Sequence, residues 1–148
     1  STKTLAELNC NKIETHEGCG KLKLFMTESE LLSMLGNPEK KEINDNADQT
    51  FFYYSKGLSF SINSNGKIRE ISFNGWTGWK LDSKYITFQG TPEKNISWKM
   101  SLPQVRKIYG RPLEQTTKTD EEGKYQNLMY GRIEFRFRDG KLAAISVY

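Results

Sequence analysis

The chain has 148 residues, enough for one domain or two small ones that share an interface, and a formal net charge of +4. Its hydrophobic share of 36% is modest and its aromatic share of 12% is high, which fits an antiparallel sheet with one wet face. No run approaches the roughly 18 apolar residues that a membrane-spanning helix needs, and acidic and basic residues are interleaved rather than gathered into the stripe typical of nucleic-acid readers.

Residues 1–21 read as a lead-in. Leu5 to Ile13 suggests a short helical turn, weakened by Asn9 and Asn11. Cys10 and Cys19 flank His16 and the turn-like Glu17-Gly18. A local disulfide is the simplest reading and implies an oxidising compartment. Free thiols are the alternative, and so is a metal site, although zinc takes about four ligands and this stretch supplies three.

Residues 22–74 read as a first repeat. A strand-like Lys21 to Phe25 leads into a helix capped by Thr27, with Glu30 three positions later closing a capping box. Leu31, Leu32, Met34 and Leu35 supply the buried stripe, Gly36 stops the helix and Pro38 forbids its continuation. Strands are predicted at Lys40 to Ile43, Thr50 to Ser55, Leu58 to Ile62 and Lys67 to Phe73. Leu58, Phe60 and Ile62 alternate with Ser59 and Ser61, the signature of a half-buried strand. Asn44 to Asp48 reads as a polar loop, and Asn63 to Gly66 as a hairpin turn.

Residues 75–94 are a connector holding Trp76, Trp79 and a strand candidate, Tyr85 to Phe88. Residues 95–148 read as a second repeat. Trp98 precedes its helix as a core residue. Ser101 caps, Gln104 closes the box, Val105, Ile108 and Tyr109 face inward, Gly110 stops and Pro112 follows. Strands are predicted at Glu114 to Thr117, Tyr125 to Tyr130, Ile133 to Arg138 and Leu142 to Tyr148, with Thr119 to Gly123 as a polar loop. The two helix starts lie about 74 residues apart, and such self-similarity outranks any single residue as evidence of architecture. The expectation is an α+β protein: two tandem helix-plus-antiparallel-meander repeats that share one extended antiparallel sheet, with short helices on one face.

Phe25-Met26-Thr27 and Lys99-Met100-Ser101 at the helix starts, with Gly36-Asn37-Pro38 and Gly110-Arg111-Pro112 at the ends, resemble the halves of the β-lactamase inhibitor protein family. The pattern is also similar to the SmpA/OmlA (BamE)-type envelope lipoproteins. The resemblance implies a concave sheet face that binds a partner protein, without cofactor. The inhibitor family carries a disulfide within each half, whereas both cysteines here precede the first helix.

Catalytic readings are thin. A Ser–His or Cys–His pair would have to use His16, which sits outside both repeats. Asp45, Asp48, Asp120, Glu121 and Glu122 suit a hydrolase only if the fold sets two of them across a cleft, and otherwise are solvated loop residues. Asn44 to Asp48 is rich in oxygen ligands but lacks the Glu that closes a calcium loop, and no glycine-rich phosphate loop is present. No cofactor and no metal are expected.

The expected function is therefore non-catalytic: an inhibitor-like or other protein-binding module of the bacterial envelope, periplasm or extracellular space, a reading that leaves room for a signal or lipid anchor ahead of Ser1. The candidate anchors are Trp76, Trp79, Tyr54, Tyr130, Arg136 and Asp48, since Trp, Tyr and Arg dominate interface energetics. Alternatives are a hydrolase using loop carboxylates and a glycan or cell-wall binder using exposed aromatics.

Overall fold

The computed structural model describes residues 2–76, 84–92 and 95–148. Strands β1 (Gly18–Cys19) and β2 (Leu22–Lys23) form a small hairpin. Helix α1 (Glu28–Leu35) follows, then β3 (Lys40–Ile43), β4 (Gln49–Tyr53), β5 (Leu58–Ile62) and β6 (Ile68–Asn74). Beyond the connector come α2 (Leu102–Tyr109), β7 (Glu114–Asp120), β8 (Gly123–Tyr130), β9 (Ile133–Arg138) and β10 (Lys141–Val147). Strands β3 to β10 form one eight-stranded antiparallel sheet in the order β3-β4-β5-β6-β10-β9-β8-β7. The last strand therefore returns to the middle, where Ile71, Ser72, Phe73 and Asn74 face Val147, Ser146, Ile145 and Ala144.

This corrects the expected fold class. The protein is mainly β, one eight-stranded sheet and a two-stranded one, rather than an α+β protein of two tandem helix-plus-meander repeats. Each α-helix has eight residues and buries two of them, Leu31 and Leu35 in α1, Leu102 and Val105 in α2. Helices this short are patches on a core that the continuous sheet supplies.

Smaller expectations shift for local reasons. The strand at Thr50 to Ser55 ends at Tyr53, because Tyr54–Lys56 turns as a 3-10 helix into Gly57 at φ 69°. Extended chain at Lys21 to Phe25 shrinks to Leu22–Lys23, since Phe25 adopts φ 71°. The polar loop at Thr119 to Gly123 is mostly strand: β7 runs to Asp120 and β8 starts at Gly123. Tyr85 to Phe88 is not a strand, though Ile86 N–H donates to Tyr54 O and Phe88 N–H to Asn74 O.

Alternation in the strands sorts the two faces. Phe51 and Tyr53 of β4, Leu58, Phe60 and Ile62 of β5, Ile71 and Phe73 of β6, and Ile133, Phe135 and Phe137 of β9 are all buried on one face. Both helices and the lead-in cover that face. Leu8, Ile13, Cys19 and Leu22 are fully buried within the same core. Cys10 and Cys19 are disulfide-bonded with Cα atoms 4.7 Å apart, which closes the lead-in into a loop over the sheet. Trp98 packs where Gly75 leaves room: a Cβ there would lie 1.9 Å from the indole ring.

The helices are held at both ends by parallel devices. Glu30 N–H donates to Thr27 Oγ1 at 3.1 Å and Gln104 N–H to Ser101 Oγ at 3.3 Å, and each box is closed by the reciprocal bond. At the far ends, Tyr53 Oη donates to Gly36 O and Tyr130 Oη to Gly110 O, both at 2.8 Å. Each sheet tyrosine thus satisfies a carbonyl beyond the last helical turn.

Two outcomes follow from these ends. Hydrogen bonds from Thr27 hold the Glu30 carboxyl below its ordinary value of 4.5, so its contribution is complete above that value and is lost as pH falls through the depressed one. Gln104 does not titrate. Acidification below about pH 4.5 should therefore reduce the hydrogen-exchange protection of the Thr27 amide, which donates to the Glu30 carboxylate, and spare that of the Ser101 amide, which donates to the Gln104 side-chain carbonyl, and equal losses would contradict the assignment. Separately, Tyr53→Phe should cost about 1 kcal/mol in urea denaturation. Tyr130→Phe should cost less, because water can replace a bond made at the surface.

Candidate functional site

The face opposite the core carries the alternate residues of the same strands. Its central floor is built of small side chains: Ser59 on β5, Ser72 on β6, Ala144 and Ser146 on β10. Ser72 Oγ and Ser146 Oγ lie 2.8 Å apart across the β6–β10 seam. Small residues there leave shallow space above the sheet, and taller side chains on either side wall it.

One wall is aromatic. Phe52, on β4, stacks on Tyr54 with ring centroids 5.7 Å apart, and Tyr85 meets Tyr54 edge-on at 4.7 Å. Tyr85 arrives from the connector, and two backbone bonds at Tyr54 and Asn74 hold its segment in place. Gly57 permits that crossing, since a Cβ there would lie 2.7 Å from Ile86 O. Burial pushes the Tyr85 hydroxyl up to about 12, and it hydrogen-bonds with Ser59 on the floor. These rings pack on one another, making a wall rather than a row of flat platforms.

The other wall is charged. Glu134, Arg136 and Arg138 alternate along β9 with the buried Ile133, Phe135 and Phe137. Arg136 Nε lies 3.7 Å from a Glu134 oxygen. Its Nη2 donates to Ser72 Oγ at 3.2 Å and also to Ser146 Oγ, so one guanidinium ties β9 to both strands of the seam. Arg138 lies over the Tyr125 ring, 4.1 Å from its centroid, a cation–π contact. Burial first, and then the Arg136 charge, lower the Arg138 pKa against the opposing pull of Tyr125, yet it stays charged at neutral pH. Burial raises the Glu134 pKa, Arg136 opposes the rise and Glu70 adds to it.

Three open depressions lie along this face. One, of about 200 Å³, sits over the seam between Phe52, Tyr85 and Arg136. A second, about 640 Å³, lies over β7 to β9 and is lined by Lys118, Tyr125, Asn127, Arg136 and Arg138 among others. The third, about 450 Å³, lies toward the other end, between Phe25, Glu70, Glu134 and Tyr148. Shared lining residues, Arg136 and Glu134, make the three continuous.

Of the anchors expected from sequence, Arg136 and Tyr54 stand on this face. Trp76 is half-buried at its end, beneath the Lys141 ammonium 5.3 Å from the ring, and Lys141 is in register with Arg138. Tyr130 does not join them: it belongs to the core side, against Tyr109 and Phe135. Asp48 is 8% exposed and pairs with Arg69 at 3.2 Å, so its carboxylate is engaged within the chain. Trp79 lies outside the described residues. The sequence reading missed Tyr85 as a wall residue, and no local signal marks it, because only the path of the connector carries it to Tyr54.

No helix among the described residues is long and apolar enough to cross a membrane. No curated protein matches the chain. Among solved structures, a DUF4309 family protein (YjgB) from Bacillus subtilis subsp. subtilis str. 168 is similar over 96% of this chain and 95% of its own, with 18% identity and a TM-score of 0.54. A cysteine-rich secretory protein (SAV1118) from Staphylococcus aureus subsp. aureus Mu50 is similar over 93% of this chain, with 11% identity and a TM-score of 0.51, and this chain spans 48% of its length. At these identities the likeness concerns the fold alone. The family described as Domain of unknown function (DUF4309) matches residues 20–143, from just past the disulfide loop through both helices into β10, and the chain belongs to that family.

Proposed function

We propose that this protein is a non-catalytic binding module that docks a partner protein through the outer face of its eight-stranded sheet, in an extracytoplasmic compartment of a bacterium. One observation carries the reading: aromatic and guanidinium side chains stand on rigid strands around a floor of small residues, in the middle of the sheet. Tyr and Arg are the residue types that dominate interface energies, because they bury large area and keep a polar edge for hydrogen bonding. Their surroundings already orient them here, so little side-chain entropy remains to be lost on docking. The Cys10–Cys19 disulfide supports the compartment, since such bonds persist where the surroundings are oxidising. Inhibition of an enzyme is one form that such docking takes.

Site-specific photo-cross-linking tests the reading. A photoreactive residue in place of Asn127 should capture a discrete partner from envelope extract, and one in place of Lys107, on the exposed side of α2, should not. Capture through α2 alone would overturn the proposal. With the partner in hand, Tyr54→Ala should weaken binding by about 2 kcal/mol, a roughly 30-fold rise in Kd by calorimetry, with the thermal midpoint held within a few degrees.

A further inference from the structure

The depression over the β6–β10 seam has the wrong size for a typical small-molecule site. Its volume of about 200 Å³ lies below the roughly 300–1,000 Å³ common for drug-sized ligands, and holds the equivalent of roughly six or seven waters. That is the scale of one side chain. Its chemistry is also one-sided. Arg136 is the only lining residue among those described that is charged at neutral pH, and the rest are aromatic, hydroxyl, amide or methyl groups.

Arg136 is the one donor-only side chain among the described lining residues, while the hydroxyls and the Asn74 amide both donate and accept. Nη2 of Arg136 donates to the two seam serines, Nε lies 3.7 Å from a Glu134 oxygen without a hydrogen bond, and Nη1 makes none among the described residues. Asn74 Nδ2 is a buried amide donor without a partner among them. Leaving a buried donor unpaired costs about 1–3 kcal/mol, which would be recovered if the amide turned toward an acceptor in the depression. A carboxylate offers two oxygens with about four acceptor sites and matches the planar guanidinium fork. Phe52 and Tyr85 would flank its aliphatic stem.

We infer that this depression is the anchor pocket for an acidic side chain, Asp or Glu, of the partner protein. The inference rests on the docking reading above and specifies what the partner must present: a carboxylate on a protruding segment, set against the seam with Arg136. Glu134 stands on the Nε side of the guanidinium and does not line this depression, so it leaves the space over the seam open.

The test uses the intact chain and small probes, so it does not require the partner. Side-chain NMR resonances of Arg136 and Asn74 are followed during titration with N-acetyl-aspartate amide, with the uncharged N-acetyl-asparagine amide, and with inorganic phosphate. The expected result is a saturable shift of both residues with the aspartate probe, at millimolar concentration, and none with the asparagine probe. Arg136→Gln should abolish it. Ser59→Leu, which fills the floor without removing the guanidinium, should abolish it as well, so loss does not hinge on one variant remaining folded. Lys118→Gln, in the neighbouring depression, should leave it unchanged.

Equal shifts from both amino-acid probes, shifts that survive Arg136→Gln in a folded protein, no saturable shift at all, or tighter binding of phosphate than of the aspartate probe would each overturn the pocket. None of these results touches the cross-linking through Asn127, which can succeed while the pocket fails. Conversely, a confirmed pocket with no cross-linked partner would keep the carboxylate site and remove the protein-docking reading.

Discussion

Pairing between β6 and β10 joins a strand from the middle of the chain to the last strand and determines which side chains meet at the middle of the sheet. In its register Ile71, Phe73, Ile145 and Val147 enter the core, and Ser72 and Ser146 meet on the opposite face. A slip of one residue would exchange the faces, placing serines in the core and branched side chains in water. Register is therefore strongly specified, and with it the small-residue floor. Arg136 reinforces the seam from the side, because its guanidinium reaches both serines from β9.

Labour is divided between the faces. Core packing is assigned to one of them, along with both helices, the lead-in and the disulfide. Neither helix has the length to stand alone, so each depends on its cap, its sheet tyrosine and the two side chains it buries. This arrangement leaves the outer face little part in core packing, although Arg136 still ties the seam together there. Polar and aromatic groups can accumulate there without harming the core, and the strands beneath hold them in fixed spacing. Strands β3 and β7 close the sheet at its two edges with exposed, polar-rich faces, Lys40 and Glu42 on one and Glu114 to Asp120 on the other. Charges of this kind discourage pairing with other chains.

Several features of the site were readable as pattern. Alternation in Ile133 to Arg138 assigns Glu134, Arg136 and Arg138 to one face before any coordinates are known, since successive strand residues point to opposite sides. The same rule places Ser59 and Ser61 opposite Leu58 and Phe60. Both capping boxes were legible because a cap is a contact between residues three apart. Asp48 and Tyr130 show the reach of such reasoning. Polar loops and aromatic strands advertise both, yet Arg69 occupies one and Gly110 the other, and neither partner is near in sequence. The loop at Thr119 to Gly123 erred in the opposite sense: its polarity reflects an exposed edge strand, where alternation vanishes because both faces are wet.

Local chemistry alone determined where helices begin and end, which strand residues turn toward the core, and that the two cysteines could staple the lead-in, because each depends on spacing within about ten residues. Tertiary structure decided that one mainly β sheet results, that β10 returns to the centre beside β6, and that Tyr85, Ser59, Asn74 and Arg136 surround a single depression. These last are pairings between segments tens of residues apart. The free energy that selects them lies in burial of the common core and in strand register, and no stretch of sequence holds either quantity by itself.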